Sequence, residues 1–222
     1  EAGGATLVDL NETVLERFHE YRTHAPLDFK TPKGRAPLAQ DVRLLITTAA
    51  VMDLVYAEYD DLYMEQLRAR WLQLAPDAPA LREDLLARWS EPHRRYHDTR
   101  HLAHLLDALD LLGADEPVIR WAAWFHDAVH TGRAGEDEHA SAALARVRLA
   151  SLLSPAEVDE VARLVEVTID HAPAPGDLRG AYLSDADLAI LGTARGRYDV
   201  YARDVRVEYA HLDERHIDTI LK

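Results

Sequence analysis

Cysteine is absent from all 222 residues. This removes disulfides, thiolate zinc sites and cysteine nucleophiles together, and it agrees with a cytoplasmic protein. Basic residues are scarce: 25 Lys and Arg stand against 39 Asp and Glu, a formal charge of −14, with no local basic run to offset it. That balance excludes a binder of nucleic-acid backbones, whose surfaces are basic. Long apolar runs are missing as well. The longest uncharged apolar stretch near the start, Leu44–Met52, has nine residues and includes two Thr, far below the roughly 20 that cross a bilayer. No membrane partner is expected. The amino terminus has no basic segment followed by an apolar one, so it does not read as a secretory signal. Its first residue is not Met, which implies an upstream start or processing, and the chain stops in mid-pattern at Ile220-Leu221-Lys222.

Strands are missing from the pattern too. Apolar residues recur at three or four positions nearly everywhere, no segment alternates with period two, and no internal repeat is visible, so the fold class is all-α. Leu7, Leu10, Val14, Phe18 and Tyr21 form one amphipathic stripe, and Val42 to Tyr59 carry another after a Pro-rich loop. Helices are expected near 64–75 and 79–89, and from Ser90-Glu91-Pro92 through Leu112. Another opens at Glu116-Pro117 and runs over Val118–Val129, apolar almost all round and therefore central. A polar loop, TGRAGED, follows it. Further helices are expected near 138–153, from Ser154-Pro155 (with Glu157 in a capping-box position) to His171, near 183–191, and from about 195. Residues 1–63 hold two of the 12 His and none of the motifs below. They read as an N-terminal helical extension to a domain over 64–222. The Tyr residues at 56–63 suit packing or a homo-oligomer contact.

What the chain has in excess is histidine. Seven of the 12 fall within 47 residues: His93, His97, His101, His104, His126, His130 and His139. Without thiols, imidazole and carboxylate from separate helices are the means of holding a divalent ion in a helical core. Four pieces fit that chemistry. Tyr96-His97-Asp98-Thr99-Arg100-His101 places two His at i and i+4, neighbours on one helix face. His126-Asp127 ends the apolar helix, His171 closes a later one, and Asp185-Ala186-Asp187-Leu188 opens a short one. Arg94, Arg95 and Arg100 are candidates to clamp phosphate oxygens, against the default of a solvated basic face. Glu138 is a candidate to orient a water, against the default of a first-turn acid. His93 suits a local hydrogen bond, and Trp121 and Trp124 suit core packing.

The ordered set SEPHRRYHDTRHL, WAAWFHDAVH, DEHASA and SDADLAILG resembles the HD-domain metal-dependent phosphohydrolases, in particular the bacterial branch described as predicted HD phosphohydrolases. The likeness covers about residues 68–212. It implies an HD-domain helical bundle with His101, His126, Asp127 and Asp187 as metal ligands. The YHxxxH piece is similar to that of cyclic-nucleotide phosphodiesterases, which implies His97 as a general acid. The implied reaction is hydrolysis of a phosphoester or phosphoanhydride in a small phosphorylated metabolite, such as a nucleotide, by metal-activated water. The ion would be Mn, Fe, Co, Ni, Zn or Mg. One is expected to be firmly bound, with a second bridged by Asp127. His130, His171 and Asp185 are candidates for the second site or for support of the first. Asp185 and Asp187 lie about 200° apart round a helix, and the Ala-Asp-Leu setting favours Asp187. Two alternatives stand beside this reading: a non-enzymatic ligand-sensing module and an HD-type di-iron oxygenase.

Overall fold

In the computed structural model the described residues are 62–211 except 194. The chain divides into two units, Glu1–Tyr59 and Asp60–Lys222, and every described residue belongs to the second. The stripes expected before residue 60, Tyr56 and Tyr59 among them, lie outside the described residues, as do residues 212–222.

Among the described residues the structure is helical, without a strand. Residues 62–74 form α1, Pro79–Trp89 α2, Thr99–Leu112 α3, Pro117–Phe125 α4, Glu136–Leu149 α5, Pro155–Val167 α6, Leu178–Asp187 α7 and Arg195–Glu208 α8. A 3₁₀ turn over Leu188–Gly192 links the last two. No described helix is long and apolar enough to cross a membrane.

Local chemistry sets the boundaries. Pro stands in the first turn of α2, α4 and α6, where its missing N–H costs least. Ser154 and Glu157 form the expected capping box: the Ser154 N–H donates to the Glu157 carboxylate at 2.9 Å, and the Glu157 N–H returns to Ser154 Oγ at 3.4 Å. Gly113 ends α3 at φ +69°, a left-handed cap that glycine adopts without a Cβ clash.

Four expectations need correction. Ser90-Glu91-Pro92 starts no helix. α3 begins nine residues later, because the Asp98 carboxylate caps the N–H groups of Arg100 and His101. His97 therefore precedes the helix and is not an i, i+4 partner of His101 on one face. α4 stops at Phe125, leaving His126 and Asp127 in the turn beyond it. α6 ends at Val167, short of His171. Asp177 caps α7 at Gly180 N, so that helix starts at Leu178, and Asp185 and Asp187 fall at its end instead of its start.

α6 packs against α4 and α5, and α3 packs against α7. α4 buries Ile119, Trp121, Ala122, Ala123, Trp124 and Phe125, so the residues that leave its end emerge inside the protein. Trp71 meets Trp121 and Trp124 edge-on, with centroids at 5.3 and 4.9 Å. The Trp89 indole N–H, buried with them, donates to the Trp124 carbonyl at 3.1 Å. Each such aromatic buries about 150–250 Å² and dominates core energetics. α8 belongs to a separate, smaller cluster of Tyr201, Ala202, Val205 and Tyr209, with Tyr96, Ile190 and Tyr198 against it.

Candidate metal centre

The turn after α4 brings His126 and Asp127 to His101 in the first turn of α3 and to Asp187, the last residue of α7. His126 is 1% exposed and His101 4%. The His126 Nδ1–H donates to the Ala123 carbonyl at 2.9 Å. This bond fixes the tautomer and turns the Nε2 lone pair inward. His126 Nε2 then lies 3.2 Å from His101 Nε2, 3.2 Å from Asp127 Oδ2 and 3.6 Å from Asp187 Oδ1. His101 Nε2 lies 3.0 Å from Asp187 Oδ1 and 3.9 Å from Asp127 Oδ2. Donors bound at about 2.0–2.2 Å to one ion in tetrahedral or octahedral array are roughly 2.8–3.6 Å apart. His101, His126 and Asp187 match that spacing, their donor atoms all within 4.8 Å of one another. Asp127 closes on His126 at the same spacing and on His101 slightly beyond it.

The electrostatics describe a site built for positive charge. Burial disfavours charge on both carboxyls, yet the His126 imidazole holds Asp127 and Asp187 well below the usual carboxylate range. Burial likewise opposes a proton on His126, and Asp127 and Asp187 override it, raising His126 well above its ordinary value. A cation offers these groups the neutralisation they otherwise take from each other. The site is backed by Trp89, whose ring lies 5.3 Å from His126 and 6.2 Å from His101. Tyr96 covers His101 at 4.9 Å.

His171 supports the cluster from outside. Its Nε2 lies 2.9 Å from Asp187 Oδ2, leaving Oδ1 for the centre. It holds φ +50°, the one described non-glycine residue in the left-handed region, a conformation that persists where surrounding structure over-determines it. Asp185 is exposed, and the structure brings Asp187 alone of the pair into the cluster.

The three Arg divide. Arg94, 4% exposed, lies behind the site: its guanidinium donates to the carbonyls of His97 at 2.9 Å and Asp127 at 2.8 Å and sits over Trp89. It is committed to holding backbone, which corrects its expected use as a phosphate clamp. Arg95 is exposed, and its carbonyl accepts from Arg100 at 3.0 Å. Arg100 also pairs with Asp98. Glu138 reaches back to cap its own helix, accepting from the Gly135 N–H at 2.6 Å. Burial, with Asp127 and Asp137 nearby, raises its carboxyl above its usual value despite that bond. His93 makes a local contact, Nε2 to the His130 carbonyl at 2.7 Å. His104 meets Arg197 and Tyr63 instead of the cluster, and His139 is exposed.

One residue near the site carries no motif: Glu208, at the end of α8. Its carboxylate, 2% exposed, accepts from the Tyr96 N–H at 2.9 Å and the His97 N–H at 3.4 Å. His97 Nδ1 lies 3.3 Å and His130 Nε2 2.6 Å from its two oxygens. A signal was present in the sequence. Tyr201, Val205 and Glu208 share one stripe of α8, with Tyr209 just beyond its end, so a carboxylate occupies an apolar position. The loop after α4 is likewise set by an acid, Asp137. Asp137 accepts from the Thr131 N–H at 2.7 Å, Thr131 Oγ1 at 2.8 Å and the Arg133 N–H at 2.8 Å. No family model, no curated protein and no solved structure matches this chain, so what the site can do rests on its own donor atoms and their geometry.

Proposed function

We propose that the protein is an HD-type metal-dependent phosphohydrolase acting on a small phosphorylated metabolite. The observation that carries this reading is the convergence of His101, His126 and Asp187, with Asp127 beside them, at the spacing of a coordination shell in a largely buried cluster. The donor set of imidazole and carboxylate suits a divalent first-row ion. Such an ion, when bound, acidifies a water and offsets phosphate charge. The chain's own residues supply the rest. Ala123 and His171 fix the orientations of His126 and Asp187. Trp89 and Tyr96 exclude water from two sides of His101. Arg94 holds the carbonyls of His97 and Asp127, Arg100 is engaged by Asp98, and Arg95 stays exposed as a cationic group for a phosphate's entry. A chain of net charge −14 otherwise repels such a substrate.

The test combines elemental analysis of purified protein with a phosphoester panel assayed in Mn²⁺, Co²⁺, Ni²⁺ and Mg²⁺. Release of phosphate that depends on the ion and disappears in Asp187→Asn is expected. A bound ion without hydrolysis of any panel member refutes the hydrolase reading, and a redox-active iron pair redirects it to oxygenase chemistry.

A further inference from the structure

We infer that His97, His130 and Glu208 form a second cation site, taking a divalent first-row ion beside the one assigned to His101, His126, Asp127 and Asp187. The three residues come from separate segments: the turn before α3, the loop after α4, and the last residue of α8. His130 is 5% exposed and the Glu208 carboxylate 2%. Three of their atoms, His97 Nδ1, His130 Nε2 and Glu208 Oε1, are buried without a hydrogen-bond partner, yet all three groups offer donor atoms within 4.8 Å of one another. Short separations without hydrogen-bond angles mean that the donors do not aim at each other. A shared cation satisfies all three at once, whereas a buried group left unpaired is costly.

The neighbours of these residues hold them ready. Glu208 Oε2 takes the backbone N–H groups of Tyr96 and His97, which pins the carboxylate and leaves Oε1 without a main-chain donor, 2.6 Å from His130 Nε2. His93 holds the His130 main chain through its carbonyl. Such outer bonds are how ligating side chains are oriented in metal sites. The charge agrees: two imidazoles and one carboxylate lie where the fields of Asp127 and Asp187 reach His97, so positive charge is favoured. Two imidazoles with one carboxylate suit Mn, Fe, Co, Ni or Zn and leave coordination positions open.

On this assignment His97 is a ligand and not the proton donor that the family resemblance implies. In catalytic terms the inference rests on the phosphohydrolase reading, since two cations together can bind more than one oxygen of a phosphate. Its test does not. Full-length protein stripped of metal is equilibrated with Mn²⁺, and bound metal is counted by elemental analysis and by electron paramagnetic resonance of the free ion. Wild type is expected to hold two ions per chain, and Glu208→Gln, His130→Asn and Asp187→Asn one each. Glu208→Gln keeps a carbonyl for the Tyr96 and His97 N–H groups, and far-UV dichroism checks its fold; should it fail to fold, His130→Asn carries the test. A wild type that holds one ion, lost in Asp187→Asn and kept in Glu208→Gln, overturns the second site and leaves the first. Glu208→Gln that still holds two ions also overturns it. Loss of one ion in Glu208→Gln with none lost in Asp187→Asn sustains the second site and removes the first.

Discussion

Arg94→Met separates a backbone brace from a substrate clamp. The side chain is almost wholly buried, and its guanidinium donates to two main-chain carbonyls at 2.9 and 2.8 Å. Met keeps most of the aliphatic stem but leaves both carbonyls, of His97 and Asp127, without that donor. A bond from a charged donor contributes about 1.5–3 kcal/mol, so the pair is worth about 3–6 kcal/mol. The cation–π contact over Trp89, at 5.3 Å, adds about 1 kcal/mol. The Glu91 ion pair at 3.2 Å adds little, because that carboxylate is 39% exposed. The expected destabilisation is about 4–7 kcal/mol, a large share of the about 5–15 kcal/mol that holds a domain folded, and a Tm lower by about 10–20 °C. Urea unfolding and calorimetry measure it. Both carbonyls accept from Nη1 alone, and a Lys ammonium ends one bond short of that atom, so Arg94→Lys should recover less than half. A stability change under about 1 kcal/mol together with a large loss of substrate affinity would refute the brace.

Three further outcomes follow from the geometry. His171→Ala should weaken cation binding about 10–100-fold by freeing Asp187 Oδ2, and His171→Gly should do the same while recovering about 1 kcal/mol of stability at φ +50°; unchanged Mn²⁺ affinity in both denies His171 its orienting part. Asp185→Asn should leave cation binding untouched where Asp187→Asn abolishes it at that centre, and equal losses by dialysis would show that the helix end is misplaced. Burial, with Arg197 and His101 nearby, pushes His104 down to about 4. The folded state therefore resists a proton that the unfolded chain takes up near 6.5, so stability present above about pH 6.5 is lost as pH falls toward 4. His104→Gln should flatten the decline of the urea midpoint across that window, and parallel curves would count against it.

The all-α class was legible because the 3.6-residue period runs through nearly every segment, and the α6 start was legible in Ser154, Pro155 and Glu157. The α3 start was not. Ser90-Glu91-Pro92 carries the stronger local signal, but Asp98 supplies the cap, and only the packing of the preceding turn decides between them. The α7 start was hidden in the same way by Asp177, whose carboxylate accepts from Gly180 N. At the site, His126-Asp127 stood out at the end of an apolar helix, while Asp187 was preferred to Asp185 on the family resemblance and its Ala-Asp-Leu context. The part played by Arg94 could not, since a basic residue beside a His segment reads as solvent-facing until its carbonyl partners, 33 residues apart in one case, are brought to it. Glu208 escaped for a related reason: its main-chain partners, Tyr96 and His97, lie more than 100 residues away in sequence.

That distance has a consequence for the order of events in the chain's life. α8 shares no part of the main apolar core; its own cluster is the small one of Tyr201, Ala202, Val205 and Tyr209. Elements held by few buried contacts open first. The segment that carries Glu208 is thus both the last of the site's pieces to leave the ribosome and the first expected to come away from the folded body. Amide exchange should be fast in α8 while α3, α4 and α6 stay protected. Each such opening undoes the tie to Tyr96 and His97 and parts Glu208 from His130.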